Sequence, residues 1–207
     1  MDPLNPNEVR VLGALLEKQV LTPDVYPLTL NYLVGACNQK TSREPVMELE
    51  ESEVAAAILG LRKKNLAVEN KMHDSRVLKY SHNLAHWGAF TSKEQAALCL
   101  LLLRGPQTSG EIRGRAERMA SFESVADVEA ILQALSEKSC GALVLKLDRR
   151  SGEKEPRWTQ LMSPLEESAI IKPSAQSSSL AERVSALERQ FAELKEIIQK
   201  LSVPPAP

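Results

Sequence analysis

One pattern of apolar spacing, used twice, constrains this chain more than anything else in it. Three stretches of helical period are followed by a stretch of period two, and then the same order returns. In the first copy Asn5, Pro6 and Glu8 form a capping box at a helix start, and Val9, Leu12, Leu15 and Leu16 recur at helical spacing. Thr22-Pro23 breaks that helix, and Pro27 starts a second with Leu30, Leu33, Val34 and Cys37 on one face. Ser52 opens a third, with Val54, Ala57, Ile58 and Leu61 inward. Leu66 and Val68 then alternate with polar neighbours, a polar tip follows, and Leu78 and Tyr80 alternate again, which reads as a β-hairpin.

The second copy repeats each step. Thr91 with Glu94 caps a helix that Gly105-Pro106 stops, Thr108 with Glu111 caps the next, and Ser124 with Asp127 caps a third. Leu143, Val144, Leu145 and Leu147 make a strand, and 157–162 its return. Setting Val54 against Val128 also aligns Ile58 with Leu132, Leu61 with Leu135 and Lys64 with Lys138. Three helices and a hairpin in about 75 residues is the winged-helix form of the helix-turn-helix. The expected fold is therefore mainly α with small β-hairpins (α+β), as tandem winged-helix domains at 5–84 and 91–163, each large enough for its own core.

A third module follows a flexible linker at 164–179. Leu180, Leu187, Leu194 and Leu201 repeat every seven residues with Val184, Phe191 and Ile198 between them, the seam of a coiled-coil helix over 180–202. Only about three heptads are present, so the seam alone is marginal and suits reinforcement of another dimer contact or capture of a partner helix. A homodimer is the expectation.

Charge narrows the function classes. Lys plus Arg is 26 against 27 for Asp plus Glu, which excludes a polybasic nucleic-acid coat. At 4% aromatic, the composition argues against a stacking platform for single strands. The longest apolar run, 96–103, is too short to span a bilayer and begins a predicted amphipathic helix. The N-terminus lacks a secretory pattern, and Cys37, Cys99 and Cys140 sit in or beside apolar segments, as buried thiols of a reducing cytoplasm do.

The stretch RVLGALLEKQVLTPDVYPLTLNYLVGACNQKTSREPVM, together with LLLRGPQTSGEIRGRAERM in the second copy, resembles the bacterial YceH-like family of unknown function. The resemblance covers roughly 4–162 and extends to the terminal heptads. It implies a tandem winged-helix fold in the bacterial cytoplasm and carries no established activity, catalytic residue or cofactor.

Function must then come from the residues. In a helix-turn-helix the third helix enters the major groove N-terminal end first. Here that end carries Glu48, Glu50, Glu51 and Glu53 in the first copy and Glu123, Asp127 and Glu129 in the second, which repel phosphates while suiting the helix dipole. Cations stand elsewhere. Lys40 and Arg43 precede the third helix, with Asn38, Gln39 and Thr41 as polar contacts beside them. Arg113, Arg115 and Arg118 lie on the second helix of the second copy, and Arg149, Arg150 and Lys154 surround its hairpin tip. Two readings stay open: a duplex-DNA-binding regulator using these residues, and a protein-interaction scaffold using the helices and the coiled coil.

Catalysis finds no constellation. His82 and His86 are four apart without an adjoining Glu or a nearby cysteine, so no zinc set forms. RGPQTSGEIRGR has neither the spacing nor the lysine of a phosphate loop. The expectation is a non-enzyme without metal or cofactor.

Overall fold

Local chemistry starts each helix of this α+β protein, and the computed structural model describes residues 2–71, 77–149 and 152–165, together with Lys195. Asn5 caps α1 (Pro6–Leu21): its side chain accepts from the Glu8 amide at 2.9 Å, and the Glu8 carboxylate accepts from the Asn5 amide at 2.8 Å. Thr91 and Glu94 close the same box on α4 (Ser92–Arg104), and Thr108 and Glu111 close it on α5 (Ser109–Ala116). Ser124 accepts from the Asp127 amide to start α6 (Val125–Ser136).

Two helix starts and the alternation of one hairpin differ from the sequence reading. Pro27 does not begin a helix; it leads into a two-residue strand, β1 (Leu28–Thr29), and Thr29 caps α2 (Leu30–Cys37) by accepting from the Tyr32 amide. Glu50, not Ser52, caps α3 (Glu51–Lys63), with Glu53 completing the box. In the hairpin of β2 (Ala67–Asn70) and β3 (Lys79–His82), Leu66 is buried just before the strand while Val68 and Leu78 are exposed, so the alternation does not fill one inner face.

The repeat holds at the level of single contacts. β3 lies between β1 and β2, with Leu28 opposite Tyr80 and Ala67 opposite His82. In the second copy β4 (Val144–Lys146) pairs with β5 (Trp158–Gln160), Val144 stands opposite Gln160, and Gln107 bridges Trp158 where Leu28 meets Tyr80. Each copy also ties the start of its first helix to the end of its third. Lys64 pairs with Glu8 and donates to the Pro3 carbonyl, and Lys138 pairs with Glu94 at 2.8 Å and donates to the Ala89 carbonyl. The alignment of Lys64 with Lys138 thus has a physical cause: both ammoniums satisfy the acid of a capping box.

The two copies do not keep separate cores. Buried side chains form one continuous cluster from Leu4 to Met162, because α1 and α4 pack against each other. Every residue from Ala96 to Leu103 is buried, so this helix is not amphipathic; an apolar surface on all sides requires a second partner, which α1 supplies. Side chains of α4 press against the α1 backbone at Gly13, where a Cβ would lie 2.8 Å from Leu103 Cδ2, and the Cys99 thiol donates to the Gly13 carbonyl at 3.4 Å.

The chain divides into two units, Met1–Ile171 and Lys172–Pro207. The expected linker beyond Leu165 and the heptad positions from Leu180 to Leu201 lie outside the described residues.

Candidate functional site

The loop between α2 and α3 is built from buried charge. Arg43, expected among the external contacts, has a side chain with 0% exposure. Its guanidinium donates to both Glu17 carboxylate oxygens, at 2.9 and 2.6 Å, and to the Ala36 carbonyl at 2.8 Å. Burial pushes the Glu17 carboxyl up; the Arg43 hydrogen bonds and charge outweigh it and hold the group below its ordinary range. Arg43 therefore fixes the loop from inside and is withdrawn from the outward-facing set. Arg10 adds to the clamp from α1, donating to the Cys37 carbonyl at 3.0 Å and to the Pro45 carbonyl. Asn38 is likewise occupied, exchanging two 2.8 Å hydrogen bonds with the backbone of Leu49.

The remaining predicted residues separate by what they touch. Arg113 donates to the carbonyls of Phe122 (3.3 Å) and Glu123 (3.1 Å), holding the loop before α6. Arg115 donates to Gln107 Oε1 at 2.7 Å and stands 3.6 Å from Glu111. Lys40, Thr41, Arg118, Arg149 and Lys154 are exposed. Among the described residues, the four cations of that group make no ion pair; Arg150 lies outside them. Arg157 at the second hairpin is bound to Glu111 at 2.8 Å and to Glu153 at 3.2 Å.

Two predicted groups that are far apart in sequence come together. Gln39 and Thr41, from the loop after α2, line the same cleft as Arg115 on α5 and Arg118, which stands in the turn after α5 rather than on the helix, at one end of the α1–α4 contact. Its volume is about 230 Å³. Lys18 and Arg104 complete it, and sequence reasoning missed both: Lys18 is 7% exposed within α1, and Arg104 ends α4. A cation directly after the longest apolar run, 96–103, was the available signal. Burial, and next the charge of Arg115, hold the Arg104 guanidinium below its ordinary range, and its Nε is buried without a hydrogen-bond partner among the described residues. The cations at the second hairpin, Arg149 and Lys154, do not line this cleft.

The acidic groups at the third helices have internal work. Glu50 and Glu53 cap α3, Asp127 pairs with Lys93 at 2.7 Å, and Glu129 pairs with Lys146 at 3.5 Å. His82 accepts at Nδ1 from the Leu84 amide, which leaves Nε2 to donate to Gln19 at 2.6 Å. Burial pushes its pKa down to about 4. Cys37 and Cys99 are buried, and burial pushes the Cys37 thiol up to about 12, away from nucleophilic use. Among the described residues no three His, Cys, Asp or Glu side chains are grouped to hold a metal ion, and no helix is long and apolar enough to cross a membrane.

A family model described as "Protein of unknown function, DUF480" matches residues 4–153. A UPF0502 protein of Chromobacterium violaceum is 52% identical over 204 residues, covering 96% of this chain and 90% of the relative. UPF0502 proteins of Vibrio atlanticus and Shewanella halifaxensis are each 44% identical, covering 96% of this chain and 98% of their own length. The chain belongs to the DUF480 (UPF0502) family of bacterial proteins.

Proposed function

We propose that this chain is a non-enzymatic tandem winged-helix protein that works by binding another protein through the outward faces of its third helices. The observation that carries this reading is the make-up of those helices. α6 contains no Lys or Arg, and the exposed first turn of α3 is Glu51, Ser52 and Glu53. A third helix set in a major groove would bring these carboxylates against phosphates. Exposed apolar side chains stand there instead, Leu59 on α3 and Val125 on α6. The heptad segment 180–201 fits the same reading as a dimerising element, and a chain ending at Ser163 is expected to sediment as a monomer where the full chain sediments as a dimer; an unchanged oligomeric state removes the dimerising role of the heptads.

A second reading, duplex-DNA binding with a transcription-regulatory role, is favoured by one observation: Lys40, Arg118, Arg149 and Lys154 are exposed and free of ion pairs among the described residues. Cations of this kind grip the DNA backbone and fix register. The two readings separate on the same protein. For protein binding, L59D with V125D abolishes capture of the partner and leaves the fold intact, since both positions are exposed. For DNA binding, the intact chain shows low-salt affinity for a duplex, and removing Arg149 and Lys154 lowers the salt slope by about one unit for each phosphate no longer neutralised. Undiminished capture by the L59D/V125D chain overturns the protein-binding reading; absence of duplex affinity overturns the other.

A further inference from the structure

We infer that the cleft at the end of the α1–α4 contact is a binding site for a phosphate-class oxyanion. Four cationic side chains line it, Lys18, Arg104, Arg115 and Arg118, against a single carboxylate, Glu17. Glu17 is already neutralised: Arg43 takes both its oxygens, and Lys18 stands 3.3 Å from one of them. Arg115 stands 3.6 Å from Glu111, so Arg104 and Arg118 are the two guanidiniums of the cleft without an ion pair among the described residues.

The fold holds these groups together at a cost. Lys18 is buried on α1, and Arg104 sits at the end of α4 with its buried Nε unmet. A buried donor without a partner and a cluster of like charges both raise the energy of the empty site, and one anion relieves both. Arg115 and Arg118 come from the second copy, whereas Lys18 and the Thr41 hydroxyl come from the first, so the site exists only where the two copies meet.

Size and donor type choose the ligand. At about 230 Å³ the cleft is below the range of roughly 300–1,000 Å³ that takes a drug-sized molecule, which leaves a small anion or one group of a larger one. Guanidinium forks beside an ammonium and a hydroxyl match a tetrahedral dianion with several acceptor oxygens better than a singly charged carboxylate. The site is separate from the third-helix faces, so it stands or falls independently of the protein-binding reading.

The test is a calorimetric titration of the full chain with inorganic phosphate at fixed ionic strength, with chloride and acetate as controls and the thermal midpoint as second readout. Saturable binding at one phosphate per chain and a raised midpoint are expected, with about tenfold weaker binding in R118Q, a loss of about 1.4 kcal/mol, and a larger loss in R104Q. Arg118 is exposed and unpaired among the described residues, so R118Q tests the ligand without disturbing the fold. An equal response to chloride, or phosphate affinity unchanged in both variants, overturns the site. A short duplex added to the phosphate complex separates the sources of the group: displacement assigns the phosphate to a nucleic-acid backbone, and retention assigns it to a free phosphate or small phosphomonoester.

Discussion

The two copies solve one problem differently: how to hold the connection between the second and third helices. In the first copy that connection runs over 38–50 and is clamped from below by Arg43 on Glu17, by Arg10 and by Asn38. In the second it runs over 117–124 and is held at the surface, by Arg113 on two carbonyls and by Lys93 on Asp127. A long connection with cations in it looks like an external binding loop in sequence. Here the length serves to bury charge, and the shorter connection leaves its arginine outside. The difference teaches that a basic residue before a third helix says little about ligands until its depth is known.

The largest effect that could break this comparison belongs to the buried pair. Arg43→Met strands the Glu17 carboxylate beneath the loop and is expected to cost about 3–5 kcal/mol in denaturant unfolding, with much of it regained in the E17L/R43M double variant. A cost below about 1 kcal/mol would mean that the loop is held by something else.

A smaller effect concerns protons. His82 in the first hairpin occupies the register position that Gln160 holds in the second, opposite Ala67 and Val144 respectively. Its folded pKa of about 4 lies below the ordinary 6.5, so the unfolded chain binds a proton that the folded chain refuses. Stability is therefore expected to fall as pH drops from 6.5 towards 4, by at most about 1.4 kcal/mol per pH unit. H82Q, which makes the first hairpin like the second, should flatten that decline in a pH series of unfolding curves; a slope unchanged in H82Q would place the sensitive group elsewhere.

The smallest effect is at Arg113. Its two carbonyl contacts are at the surface, and Arg113→Ala is expected to cost no more than about 1 kcal/mol. Faster amide exchange confined to 117–124 is the sharper readout. A destabilisation comparable to that of Arg43→Met would erase the distinction between the two copies.

Much of this was legible in sequence because it is local. The Asn5, Thr91, Thr108 and Ser124 caps depend on residues three apart, and each forms as spaced. The alignment of Lys64 with Lys138 was visible as a repeat, although its reason, the Glu8 and Glu94 carboxylates, was not. The helix starts at 30 and 51 depart from the sequence pattern because β1 pairing sets the first and Glu50 outcompetes Ser52 at the second. Of the candidate contacts, Arg43 and Asn38 proved to be engaged inside the protein. Arg115, Arg118, Gln39 and Thr41 gather in one place that no spacing announces.

The amino-acid sequence by itself determined the order of helices and hairpins, the caps of α1, α4, α5 and α6 and the twofold repetition, since these follow from spacing within a turn or a strand. Only tertiary structure decided that the two copies share one core. Burial of Ala96–Leu103 on all sides requires α1, which lies more than 70 residues earlier. The same long-range packing decided which charges face water, because a guanidinium is a surface group or a buried clamp according to what the fold sets against it, and here it set Glu17 against Arg43.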